Sequence, residues 1–194
     1  MRTLGALLIA TIATGAASAA QSEIQTQRLI ATRLALDAAP TSSALASIWQ
    51  DKLRAEQAKF VTLPKAAPYA STPSVPVFVA TFRDGDRTII LSALFTTPEC
   101  RNFSGAASPS LNNCPMRVAV LRDDKVKVVV KQDDFPFAAA MKDAPDTEVA
   151  QYDNQNSRDK TVVTFNAVTH EITTAVTLNG VLDMEISMPI HIAY

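Results

Sequence analysis

Residues 172–188, ITTAVTL-NG-VLDMEISM, contain the clearest structural signal in this chain. Two strand-like runs flank Asn179-Gly180, and both of these residues tolerate the positive φ that a type I′ turn requires. The twist of such a turn matches the twist of paired antiparallel strands. The segment therefore predicts a β-hairpin, and it makes antiparallel pairing the expected organising feature of the fold.

Similar runs elsewhere in the chain extend this pattern. Asp84-Gly85 and Asp123-Asp124 each separate two runs rich in apolar and β-branched residues, as expected for hairpins. The sequence thus predicts about seven strands in a mainly antiparallel sheet. Besides residues 172–188, the predicted strands cover residues 77–82, 88–95, 116–121, 126–131 and 160–168.

Residues 23–60 contain no glycine and predict two amino-terminal helices on either side of Pro40. Ser42 or Ser43 can cap the second helix. Trp49 could be a ligand platform, but its place in an amphipathic stripe favours packing against the sheet. The apolar residues at helical spacing are Ile24, Ile30 and Leu34 in the first helix and Leu45, Trp49 and Leu53 in the second.

A short additional helix is predicted over residues 133–142. Asp134 can cap its amino end, Pro136 falls in the first turn where its missing N–H is harmless, and Ala144-Pro145 ends it. The expected fold class is therefore α+β. Two amino-terminal helices pack on a mainly antiparallel sheet of about seven hairpin-connected strands, with one short additional helix.

The first residues have the pattern of a cleaved secretory signal peptide. Arg2 supplies a positive charge, residues 4–12 are apolar, and Ala17-Ser18-Ala19 is an A-x-A cleavage site. A membrane anchor is the alternative, but a span needs about 20 apolar residues and this run is shorter. We expect residues 1–19 to be removed and the mature protein to be periplasmic or secreted.

The mature chain, residues 20–194, is expected to form one domain. It comprises a helical segment (20–63), a Pro-rich linker (64–76) and an antiparallel β-rich region (77–194). No later stretch has the length and apolar character of a membrane span, so no transmembrane segment is expected after cleavage.

The charged residues exclude some partners. The chain has 18 Lys and Arg against 19 Asp and Glu, interspersed along the sequence. This distribution argues against nucleic acid and against docking on anionic membranes. Cys100 and Cys114 are the only cysteines, and in an exported chain they predict a disulfide.

No catalytic or cofactor motif is present, and we expect neither a metal nor a cofactor. The sequence lacks a phosphate-binding glycine-rich loop, H-E-x-x-H and paired C-x-x-C. The pairs Asp84/Asp86, Asp123/Asp124 and Asp133/Asp134 suit turns and a helix cap better than a calcium loop. His170 and His191, the only histidines, would have to serve a hydrolase, which is the competing functional class.

The segment between residues 96 and 115 is longer than a hairpin needs, and the predicted disulfide staples it. Arg101, Phe103 and Leu111 lie within it and are the candidate binding residues, since a stapled loop loses less entropy on binding. The expected function is that of an exported binding, inhibitor or accessory module whose partner is another protein of the cell envelope. There are two alternatives. In one, the disulfide only protects the loop from proteolysis; in the other, the protein is a structural subunit that associates with itself.

Overall fold

The computed structural model describes residues 23–62, 74–96, 100–102, 111–138 and 158–191. The predicted signal peptide and most of the Pro-rich segment lie outside these ranges. The described part contains one helix, nine strands of five or more residues and one strand of two residues. The elements are β1 Ile24–Arg28, β2 Ile30–Ala35, α1 Ala44–Thr62, β3 Ser74–Asp84, β4 Arg87–Leu94, β5 Arg101–Asn102, β6 Leu111–Arg122, β7 Lys125–Ala138, β8 Lys160–Asn166, β9 Glu171–Leu178 and β10 Val181–Pro189.

The strands form two antiparallel sheets that pack face to face. The smaller sheet has the order β1-β8-β9-β10, and the larger has the order β2-β3-β4-β6, with β5 and β7 both pairing with β6. One buried cluster contains residues of both sheets, and the rings of Phe82 and Phe165 meet in it at 5.7 Å between centroids. The chain passes from one sheet to the other at Leu29, between β1 and β2.

Helix α1 covers the opposite face of the larger sheet, which gives three layers. Its cap is Ser43, whose Oγ accepts the N–H of Ala46 at 3.1 Å. Trp49 is fully buried against the sheet and donates its indole N–H to Ser92 Oγ at 3.0 Å, so the packing interpretation of this residue is correct. No helix in the described part of the chain is long and apolar enough to cross a membrane.

The three predicted hairpins are confirmed. They are β3–β4, β6–β7 and β9–β10. Both central residues of the Asn179-Gly180 turn have positive φ, 53° and 83°, as a type I′ turn requires. Asp123-Asp124 adopts the same signs, 47° and 59°, without a glycine.

The predicted first helix is wrong, because residues 24–35 form strands β1 and β2. Long-range pairing decides the outcome: β2 lies beside β3, with Ile30 opposite Val79. Along the part of β3 that β2 does not cover, glutamine side chains of β1 accept hydrogen bonds from the backbone of β3. Gln27 Oε1 accepts the N–H of Thr81 at 3.1 Å, and Gln25 Oε1 accepts the N–H of Arg83 at 2.9 Å.

The predicted short helix is also wrong in its described part. Strand β7 continues to Ala138, and residues 139–142 lie outside the described ranges. Phe135 and Phe137 are both fully buried, so a period of two, not a helical cap, governs this segment. Pro136 is tolerated because, among the described strands, β7 pairs with β6 alone and is an edge strand. The described part of the chain is therefore mostly β, in two sheets with one helix.

Three residues of the predicted Pro-rich linker lie in the described part of the chain. Residues 74–76 belong to strand β3, where Pro76 pairs with Arg33 of β2, and residues 64–73 lie outside the described ranges.

Candidate functional site

The predicted disulfide is present and anchors the stapled segment to the core. Cys100 is bonded to Cys114, fourteen residues later, and Cys114 is fully buried in β6. On the other side of the bridge, the N–H of Cys100 donates to Thr96 O at 2.8 Å. The end of β6 at Leu111–Cys114, with β5 beside it, is called the stapled end below.

The candidate binding residues lie at this stapled end as far as the structure describes them. Arg101 is in β5 and pairs with Asn113, while Leu111 begins β6 and is half-buried opposite Ala138. Phe103 lies outside the described ranges. Arg101 of β5 and Leu111 of β6 are therefore brought to the same end of the larger sheet.

Asn113 is a feature of the stapled end that sequence reasoning missed. Its carboxamide oxygen is buried and accepts no hydrogen bond from the described residues. A buried acceptor without a donor costs free energy, so such an atom calls for a donor from water or from a bound partner. The residue follows Asn112 in a strand, and no local pattern distinguishes it from an ordinary surface asparagine.

The two histidines lie together at the other end of the molecule. His170 Nε2 is 3.6 Å from Asp84 Oδ2, and the backbone C=O of His170 accepts the N–H of Ile190 at 2.8 Å, next to His191. This contact joins the β8–β9 turn of one sheet to β3 of the other. Among the described residues, no three His, Cys, Asp or Glu side chains come together as metal ligands.

The acidic pairs have the roles expected of turn residues in two of three cases. Asp84/Asp86 and Asp123/Asp124 lie in or beside hairpin turns. Asp133 and Asp134 do not cap a helix, because both are exposed residues of strand β7.

A cationic pocket, unforeseen from the sequence, lies at the β6–β7 turn. It has a volume of about 320 Å³ and is lined by Arg87, Arg122, Lys125, Lys127, Asp123, Val120 and Val129. Arg122 pairs with Lys125 across the turn, and Thr88 pairs with Leu121. Because the strands are antiparallel, the latter pair places Arg87 beside Arg122. Three cations thus lie side by side on three neighbouring strands.

The arrangement of this pocket follows from register. Lys125 and Lys127 share one face of β7 because strand side chains alternate with a period of two. The K-V-K pattern was visible in the sequence, but Arg87 is distant along the chain and reaches the pocket only through the β4–β6 pairing. The charges that are interspersed in sequence are therefore concentrated in space.

A third polar cluster holds the helix on the sheet. Arg117, in the middle of β6, donates from Nη1 and Nη2 to the two carboxylate oxygens of Asp51, both at 2.7 Å, and also donates to Ile48 O. Its guanidinium lies 4.5 Å from the centroid of the Trp49 ring. The hydrogen bonds from Arg117 lower the pKa of Asp51 to about 2. This cluster joins two layers and has a structural role.

Comparisons with known proteins identify no relative: no family model, curated protein or solved structure matches this chain.

Proposed function

We propose that the protein acts outside the cytoplasm, in the periplasm or after secretion, as a binding module for another protein of the cell envelope. The Cys100–Cys114 bond carries this proposal. Disulfides persist in oxidising compartments, which agrees with the signal-peptide pattern of residues 1–19.

The contact surface in this proposal is the stapled end. The bridge closes a loop of about fifteen residues on a fully buried anchor, Cys114, which reduces the conformational freedom that binding would otherwise remove. Arg101 and Phe103 are residue types that often anchor interfaces. The unsatisfied oxygen of Asn113, at the base of the loop, offers an acceptor to a partner's donor.

The test is an affinity capture with a matched control. Mature protein, residues 20–194, is immobilised and exposed to envelope extract, beside an Arg101→Ala, Phe103→Ala variant and a Lys125→Gln, Lys127→Gln variant altered in β7, at the opposite end of the larger sheet. We expect the wild type and the lysine variant to retain the same protein and the loop variant to lose it. Equal retention by all three would place the contact elsewhere, and no retained protein would count against a binding module.

A second candidate function is a small exported hydrolase, favoured by the 3.6 Å contact between His170 and Asp84. A carboxylate beside an imidazole supplies two of the three groups of a Ser-His-Asp arrangement, which further needs a hydroxyl nucleophile at the other ring nitrogen. His170→Ala and His191→Ala variants are to be assayed on ester and peptide substrates. Turnover by the wild type that is lost in either variant would support the hydrolase; its absence in the wild type would reject it.

A further inference from the structure

The cationic pocket has more positive charge than its own carboxylates compensate. Asp86 forms ion pairs with both arginines: its Oδ2 lies 2.8 Å from Arg122 Nη2, and its Oδ1 lies 3.8 Å from Arg87 Nε. Asp123 Oδ2 lies 3.9 Å from Arg122 Nε. Both of these carboxylates therefore pair with Arg122.

Lys125 and Lys127 are left as the available cations. Within the described part of the chain, neither ammonium has a carboxylate within 4.0 Å. Four cationic side chains line the site, and among the described residues the two on β7, Lys125 and Lys127, have no ion pair, so their two positive charges have no close counter-ion. Lys125 also lies directly opposite Arg122, and like charges at such a position destabilise a strand pair. A bound dianion would remove this repulsion.

The shape and lining of the pocket indicate the chemical class of ligand. Val120 is buried and Val129 is partly buried, so the cations surround an apolar surface. Arg presents a planar fork of donors and Lys a compact point charge, and both groups commonly bind phosphate oxygens. A phosphate monoester carries close to two negative charges at neutral pH, whereas a carboxylate carries one. The uncompensated charge therefore matches a phosphate monoester better.

We propose that this pocket binds the phosphate monoester group of a phosphorylated ligand, with the attached carbon skeleton against Val120 and Val129. The pocket lies eight residues along β6 from Cys114, roughly 27 Å at about 3.4 Å per residue. The inference is therefore independent of the proposed protein-binding surface at the stapled end. It adds an anionic ligand to the proposed protein partner. The even distribution of charged residues along the sequence does not indicate such a ligand.

The test measures saturable binding of glycerol 3-phosphate and inorganic phosphate by titration calorimetry at constant ionic strength in chloride, with acetate as the single-charge comparison. Lys125→Gln, Lys127→Gln removes the two available cations. Lys131→Gln, Lys160→Gln is the matched control, because both of its lysines are exposed and lie outside the pocket. We expect about a tenfold loss of phosphate affinity for each pocket lysine removed, since each charge-assisted hydrogen bond contributes on that order. The control should stay within about twofold of the wild type.

The source of the phosphate group is distinguished by a second arm. Phosphatidylcholine vesicles that contain phosphatidic acid present a lipid monoester, and vesicles of phosphatidylcholine alone control for the bilayer. Binding to the first vesicles, lost in the Lys125→Gln, Lys127→Gln variant, would identify a lipid headgroup; binding of the soluble phosphates alone would identify a soluble ligand. The proposal is overturned if neither source binds, if acetate binds as tightly as phosphate, or if the two double variants lose affinity equally.

Discussion

At one end of strand β6 the neighbouring chain is held by a disulfide, and at the other end it is held by a tight turn. At the stapled end the Cys100–Cys114 bond closes a long connection, and the backbone N–H of Ala138 donates there to Thr161 Oγ1 at 2.8 Å. At the other end, Arg122 and Lys125 are joined by a two-residue turn. A longer loop loses more conformational entropy when its ends are brought together on folding. A cross-link reduces this loss because it already restricts the unfolded chain. A tight turn needs no cross-link, but it brings like charges together.

From this difference we infer a different role for each end of β6. The stapled end combines a disulfide-closed connection with a buried polar atom, Asn113 Oδ1, and is the end to which we assign the proposed protein contact. The turn end presents fixed cations around a small apolar surface and suits a compact anion. Arg117 lies between them and joins the strand to helix α1 through Asp51.

The largest expected effect comes from removing the staple. Cys100→Ser, Cys114→Ser should lower the free energy of unfolding by about 3 kcal/mol, because the closed loop has about fifteen residues. Urea denaturation measures this loss. Hydrogen exchange should accelerate more in residues 111–116 than in residues 120–126, if the bridge orders mainly its own end. A uniform acceleration would show that the two ends of β6 are one cooperative unit.

An intermediate effect is expected from exchanging turn residues. Gly180 has a φ of 83°, and a Cβ added there would meet open space, so Gly180→Ala should cost about 1 kcal/mol through backbone conformation alone. Asp124 has a φ of 59° without being glycine, so Asp124→Gly should raise the free energy of unfolding by up to about 1 kcal/mol. Thermal or urea unfolding checks both.

Asp124→Asn is the control for the second change, because it removes the charge and keeps a side chain that tolerates positive φ. If Asn stabilises the protein as much as Gly does, the charge of Asp124 and not its backbone conformation limits the turn.

The smallest expected effect concerns Asp51, midway between the two ends. Its pKa is lowered from 3.8 to about 2, so its contribution to stability is fully present above pH 3.8 and is lost as the pH falls through 2. The carboxylate is 60% exposed, and screening by water limits the contribution to less than about 1 kcal/mol. Asp51→Asn should therefore lower the urea midpoint at pH 5 and have less effect near pH 2.

Asp37→Asn is the matched control for this pH dependence, since Asp37 is an exposed carboxylate in the turn before α1. Equal effects of both substitutions at pH 5 would show that the Arg117 contact adds nothing specific. A loss at Asp51 that persists unchanged at pH 2 would assign the effect to packing and not to charge.

Much of the secondary structure was predictable where the determining interactions are local. The Asn179-Gly180 turn, the spacing of Trp49 and Leu53 and the cap at Ser43 are read within a few residues of chain, and each is confirmed. The pairing of Cys100 with Cys114 needed no geometry, because the chain has only two cysteines.

The wrong predictions fall where non-local contacts outweigh local preference. Residues 24–35 have apolar residues compatible with a helical face, yet the edge of β3 pairs with β2 and donates backbone N–H groups to the side-chain oxygens of Gln25 and Gln27. Residues 133–138 carry a cap-like Asp and Pro, yet burial of Phe135 and Phe137 favours the strand. Propensity contributes tenths of a kcal/mol per residue, whereas burial of a large aromatic contributes more.

The candidate sites divide in the same way. The sequence by itself determined the disulfide and the turns, because spacing along the chain specifies them, while the binding role of Arg101, Phe103 and Leu111 stays a prediction. Only the tertiary structure decided that Arg87 lies beside Arg122 and Lys125, that His170 meets Asp84, and that Arg117 lies on Trp49. Strand register and sheet packing bring together residues far apart in sequence, and no local periodicity encodes which of them become neighbours.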